Sequence, residues 1–319
     1  MDCTNKKAPL RVVYGDNTLG VHGEGIRYIF SYGAGGLESL VKDGMEWLYR
    51  TPKPTFWRAL TDNDRGNRFY ETSGRWLAAD VFIKCKSISV CVDGKELGLP
   101  CAPANNVYSD KEYAKEVRIT YTYETIVAPA NLVTVEYMVK ETGALKVSVQ
   151  YHGVKGLPQL PVFGLRLIMP TLADKYCYQG LSGETYPDRM AGGIPGIYEV
   201  TDLSPTPYIV PQECGMHMET EWVEIHRHKR LDNRKWDVGP CSLKVQKTDK
   251  PFAFSCLPYT ASELENATHQ EELPPARRTV LCIYGAVRGV GGIDSWGSNV
   301  EEAYQIDAEQ DITYSFEII

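Results

Sequence analysis

Apolar and polar residues alternate with period two along most of this chain. In "LVTVEYMVKETGALKVSVQYHG", Val133, Val135, Tyr137 and Val139 fall on one face of an extended segment. After Glu141-Thr142-Gly143, Leu145, Val147, Val149 and Tyr151 repeat the pattern. Strand side chains point alternately to opposite faces, so this spacing predicts a β-hairpin with one buried face. "YAKEVRITYTYETI", "LPVFGLRLIMP", "METEWVEIHRH", "CSLKVQK", "RRTVLCIYGAV" and the final "DITYSFEII" predict further strands, bounded by Gly, Pro, Asn and Asp. Helical signals are few. "YTASELENATH" offers Thr260 as a cap with Glu263 three residues later, the spacing of a capping box. "RFYETSGRWLAADVF" carries a short helical turn. Strands do not alternate with helices, which argues against a parallel βαβ sheet. The predicted fold class is all-β, an antiparallel sandwich of many strands in one domain over residues 1–319. "LPCAPAN" and "EELPPAR" read as long loops within it.

Composition narrows the function classes. A chain of 319 residues can bury a substantial core. Its formal net charge of −7 leaves no basic footprint for nucleic acid or an anionic membrane. The nine cysteines form no CxxC and no Cys/His group with zinc spacing. Several lie in apolar runs such as "FSCL" and "VLCIY", where a free thiol acts as a small hydrophobe, so a reducing cytoplasm is expected. The N-terminal stretch lacks the apolar core of a signal peptide, and no run reaches the length of a membrane span.

Four polar segments interrupt the strand pattern: "TFWRALTDNDRGNRFYE", "GLSGETYPDRMAGG", "VPQECGMHME" and "GGIDSWG". Connecting regions of this kind usually carry binding groups. Asp62, Asn63 and Asp64 read equally as turn residues or as site residues, and Asp188 with Arg189 as an ion pair bracing a loop. His226 and His228 share one strand face, as two metal ligands would, but no third ligand has matching spacing. No metal site is therefore expected. Glu184, Asp188 and Glu213 are of the right type for a glycosidase pair, which requires two carboxyls about 5–9 Å apart. Sequence alone does not set any two of them face to face. Trp296, between Gly292 and Gly297, is a large ring on a segment that hides little.

"TPKPTFWRALTDNDRG", "GLSGETYPDRMAG", "YIVPQECGMHMETEW", "FAFSCLPYTASELENATH" and "GGIDSWG" together resemble, in order, the landmarks of the small-chain domain of bacterial β-galactosidases of glycoside hydrolase family 2. The resemblance implies a large two-sheet supersandwich of the galactose mutarotase-like kind. The sequence opens with its own methionine just before the domain's first strand and closes with its last, so a separate small subunit is expected. The family's catalytic glutamates and its magnesium and sodium sites belong to a TIM barrel, for which this chain has no room. No catalytic residue and no cofactor is then expected here. The implied partner is a large subunit, in an obligate heteromer that hydrolyses β-D-galactosides such as lactose. The resemblance places Trp296 against the sugar beyond the scissile bond. It makes Gly66 the hinge of a mobile active-site loop comprising Gly66, Asn67, Arg68, Phe69, Tyr70, Glu71, Thr72 and Ser73, a glycine role that suits a left-handed backbone. It leaves Asp62, Asn63, Asp64, Glu184, Tyr186, Asp188 and Arg189 to structure the loops around the site. Two rivals stay open: a stand-alone carbohydrate-binding sandwich, and a sugar mutarotase or epimerase using His217 near Glu213 and Glu219 as its acid–base group.

Overall fold

The computed structural model describes residues 9–102, 112–231, 237–292, 294 and 297–319, with residues 237 and 238 as backbone. The hairpin read from periodicity is formed by Leu132–Lys140 and Leu145–Tyr151. Val133 pairs with Tyr151, Val135 with Val149, Tyr137 with Val147 and Val139 with Leu145. All eight of these side chains are buried. Register follows from this: a slip by one residue would turn the whole apolar set toward water.

All strand pairs among the described residues are antiparallel, and they form sheets of six, ten and five strands. The ten-stranded sheet carries the hairpin at its centre, beside the C-terminal strand Ile312–Ile318. The other two sheets cover its inner face. Phe30 of the six-stranded sheet meets Tyr137 at 5.6 Å between ring centroids. Phe163 of the five-stranded sheet meets Tyr151 at 5.3 Å, and Phe254 of that sheet meets Tyr176 edge-on at 5.7 Å. Tilted and edge-on pairs of this kind add to simple area burial. One apolar cluster runs through all three sheets. The result is two layers, ten strands facing eleven.

The expected capping box is present: Thr260 and Glu263 exchange side-chain and backbone bonds at the start of Ala261–Asn266. The "EELPPAR" stretch is irregular apart from a 3₁₀ turn at Gln270–Glu272, as a loop reading requires. "LPCAPAN" lies partly outside the described residues, and so does Cys3. The eight described cysteines are free thiols. No helix of the described residues is long and apolar enough to cross a membrane.

Candidate functional site

The chain leaves the strand Arg50–Thr55 through a buried run, Phe56 to Leu60, and turns into a five-residue helix, Asp62–Gly66. Thr61 caps this helix. Its hydroxyl accepts from the Asp64 N–H at 3.1 Å, and the Asp64 carboxylate accepts from the Thr61 N–H at 3.1 Å. That is a capping box with Asp in the place usually held by Glu or Gln. The spacing T-x-x-D was the signal for it, and a reading of residues 62–64 as turn residues passes over it. Asp64 is completely buried and does more than cap. Arg58 donates to its Oδ2 at 3.0 Å and Arg288 to its Oδ1 at 2.8 Å. A buried carboxylate needs such partners, because desolvation otherwise outweighs any gain.

The two arginines carry this anchor outward. Arg58 also donates to the Gly289 carbonyl at 2.9 Å, and Arg288 to Asn299 Oδ1 at 2.8 Å. The Arg288 guanidinium lies over the Phe69 ring at 4.0 Å. Burial pushes Arg288 down to about 10, against the pull of Asp64. Around this centre all five motif segments meet. Asn63 Nδ2 donates to the Val290 carbonyl at 3.1 Å. Asp188 accepts from the backbone N–H groups of Val290 and Gly291 at 3.0 and 2.8 Å. Arg189 grips the Gly291 carbonyl with Nε and Nη2 at 3.1 and 2.6 Å. Gln212 accepts from the Asp62 N–H at 2.9 Å, and Glu265 from the Leu60 N–H at 2.7 Å. Glycine is required where these segments touch. Gly297 has φ 108°, and a β-carbon there would strike the Gly66–Asn67 peptide. Gly292, at φ 121°, would strike the Arg189 guanidinium.

A cleft of about 450 Å³ opens beside this assembly, lined by Asp62, Glu184, Tyr186, Tyr208, Gln212 and Glu213 among others. Tyr186 donates to Glu184 at 3.1 Å and Thr206 donates to the same carboxylate at 3.0 Å. Glu213 is buried at the cleft wall, and burial pushes its carboxyl up to about 8. The Arg58 guanidinium opposes that shift, while the charges of Glu184 and Asp64 add to it.

The other candidate residues fall as follows. Asp188 and Arg189 do not pair with each other; both hold residues 290–291. Residues 66–73, named as a mobile loop by the resemblance, form the end of the first helix and a second, Phe69–Ser73, the short helical turn expected within "RFYETSGRWLAADVF". Gly66 closes the first helix, and the left-handed residue is instead Arg68 at φ 59°. The glycine-only backbone expected at Gly66 is thus corrected: the turn between the helices falls two residues later. Phe69 and Ser73 point inward, whereas Tyr70 is exposed. Trp296 lies outside the described residues. His226 and His228 share the outer face of Trp222–Lys229, His228 paired with Asp174 at 2.6 Å. Among the described residues no three His, Cys, Asp or Glu side chains could hold a metal ion. His217 is a core residue: its ring nitrogens meet the Tyr176 hydroxyl and the Gly183 carbonyl, both at 2.9 Å. Burial holds it down at about 4.

Two predictions follow from this geometry. Asp64→Asn keeps the shape of the anchor but leaves two buried guanidinium groups without their counter-charge. It should lower stability by about 3–5 kcal/mol in urea unfolding; a loss below about 1 kcal/mol would show the anchor to be dispensable. Glu213 ionises near 4.5 when unfolded but near 8 in the fold. The folded state binds the extra proton across that window, so this group's stabilising contribution is complete below its unfolded value and is lost as pH rises through about 8. Glu213→Gln should therefore gain in melting temperature over the wild type as pH is raised from about 5 to about 8.5. Parallel curves for the two proteins would refute it.

Residues 22–318 match the family described as "Beta galactosidase small chain". The β-galactosidase small subunit of Latilactobacillus sakei is 62% identical, over 99% of this chain and 98% of its own. β-Galactosidases of Halalkalibacterium halodurans and Bifidobacterium adolescentis are each 34% identical over 98% and 100% of this chain, which spans 28% of their length. Among solved structures, a galactose mutarotase-like protein from Lactobacillus casei aligns at TM-score 0.42 and 10% identity, over 94% of this chain and 99% of its own, a distance that carries no argument. With its five motif segments gathered at one site and nearly its whole length matched, the chain belongs to the β-galactosidase small-chain family.

Proposed function

We propose that this chain is the small subunit of a heteromeric β-galactosidase, required for activity but without the catalytic glutamates. The observation that carries the reading is the extent of its likeness to a small subunit. It is 62% identical to the L. sakei chain across 98% of that chain, yet spans 28% of the longer β-galactosidases. In this reading a large TIM-barrel subunit supplies the acid/base, the nucleophile, and the magnesium and sodium ions. Hydrolysis of a terminal β-D-galactoside such as lactose proceeds with retention through a covalent intermediate. The carboxylates here support it: Asp188 and Glu265 are spent on backbone N–H groups, and Glu184 on two hydroxyls.

The small chain completes the cleft. Trp296 gives a flat face to the leaving sugar, and the segment Gly66–Ser73 is the element that moves as the deeper site fills. The motif residues Asp62, Asn63, Asp64, Glu184, Tyr186, Asp188 and Arg189 hold the surrounding backbone in place. The complex works in the cytoplasm and needs neither nucleic acid nor membrane.

Assay of the purified chain with a chromogenic galactoside should give no turnover, and addition of a large chain from a heteromeric relative should restore it. Robust turnover by the chain alone would overturn the division of labour. Trp296→Ala should leave the chain folded and able to assemble, while raising KM for lactose about three- to thirtyfold, the scale of one lost stacking contact. Phenylalanine should recover part of the loss and leucine little. A strongly lowered melting temperature, or an unchanged KM in a normally assembled complex, would remove the stacking role.

A further inference from the structure

The stretch after the second short helix is firmly anchored yet turns apolar side chains outward. Trp76 and Ala79 are fully buried and Asp80 nearly so. Trp76 stacks on Phe56 at 5.5 Å and donates its indole N–H to the Pro158 carbonyl at 3.0 Å. Asp80 pairs with Arg166 at 2.6 Å. Between these anchors Ala78 adopts a left-handed backbone, φ 60°, which a residue with a β-carbon keeps only where its surroundings impose it. Backbone bonds from Ala79 to Trp76 and from Val81 to Ala78 close the turns at 3.1 and 3.0 Å. The side chains left over face water: Leu77 is 45% exposed, Val81 63% and Phe82 59%, with Tyr70 on the preceding helix at 47%.

A free loop would relax to hide such groups. Here the fold holds them out, at the expense of a strained alanine. An aromatic and two aliphatic side chains presented on rigid backbone have the character of an interface anchor. The stretch follows in sequence the helices Asp62–Gly66 and Phe69–Ser73, the first of which supplies one wall of the cleft, while in space Asp80 and Val81 line a separate hollow with Tyr49, Arg50, Arg166 and Ile168. In the longer relatives the matching domain is 28% of the polypeptide and has the larger remainder to pack against. We propose that Leu77, Val81 and Phe82, with Tyr70, dock the large subunit. This rests on the subunit reading above.

The test compares wild type, the double variant Val81→Asp with Phe82→Asp, and Phe82→Leu. Titration calorimetry against a large chain should show binding weakened about tenfold or more in the double variant and nearly retained in Phe82→Leu. Melting temperatures of the free chains should stay close together. Hydroxyl-radical footprinting of the wild type needs no substitution and should show Phe82 oxidised in the free chain and protected in the complex. Undiminished affinity in a folded double variant, or equal oxidation of Phe82 in both states, would overturn the docking surface while leaving the subunit reading intact. So would a wild-type homodimer that the aspartates dissociate while large-chain affinity is kept, since a second copy would then be the occupant. A wild-type chain that binds no large chain would remove the subunit reading itself, and the docking surface with it.

Discussion

The buried carboxylate of Asp64 is the constraint on which the site depends. It sits 0% exposed between two guanidinium groups, one six residues before it and one 224 residues after it. Neither arginine could be buried here without it, and each reaches on to a further segment, although Arg58 Nε and Nη1 and Arg288 Nε stay buried without a hydrogen-bond partner. Arg58 fixes the carbonyl of Gly289 and Arg288 fixes Asn299. A buried ion pair contributes little net stability against an apolar substitute, but a broken one is costly, so it discriminates sharply between geometries. That property suits a site made of connecting segments, which have no ladder of strand bonds to set their register.

The carboxylates near the cleft divide by what they hold. Asp188 and Glu265 accept from backbone N–H groups, as Asp64 also does from Thr61. In these contacts the acids position chain. Glu213 differs, because burial keeps its proton on near neutral pH and its place on the cleft wall leaves it facing open volume. Tyr186 has one hydroxyl proton, and it goes to Glu184. The cleft wall thus sets the protonated Glu213 among tyrosine and amide groups, with the carboxylates of Asp62 and Glu184 and the Arg189 guanidinium also lining it. Such walls offer hydrogen-bond donors and acceptors of the kind that a hydroxyl-rich ligand can meet.

Much of the fold was legible because period two survives wherever one face of a strand is buried. The hairpin at 132–151 is the clearest case, and its register pairs the residues that alternation marks. The same signal could not say that the strands would divide into three hydrogen-bonded sheets. That division depends on contacts such as Phe30 with Tyr137, more than a hundred residues apart. At the site, residue types pointed to the right segments but not to their roles. Asp188 and Arg189 read as a mutual pair because they are adjacent, yet both serve residues about a hundred positions away. The helix at Asp62–Gly66 was hidden because Asp, Asn and Gly usually mark turns, and only the bond between Thr61 and Asp64 distinguishes the two. His217 was ambiguous for the opposite reason: nothing in its neighbours in sequence announces the aromatic wall of Tyr178 and Phe254 that buries it.

The same features explain how one domain can serve as a separate chain or as part of a longer one. A surface that must meet another subunit loses least on association when its backbone is already fixed, since ordering a loop is subtracted from the binding free energy. Here the cleft segments are tied by side chain to backbone bonds, and the adjoining stretch at 76–82 is pinned by Trp76 and the Asp80–Arg166 pair. A covalent link would add only effective concentration to such an arrangement, without any new contact. Separation into two chains therefore demands that the contact itself be strong, and strength of that kind comes from apolar anchors held ready, not from charges at a rim. The left-handed backbone at Ala78 is a local cost that the buried anchors Trp76 and Asp80 on either side of it sustain.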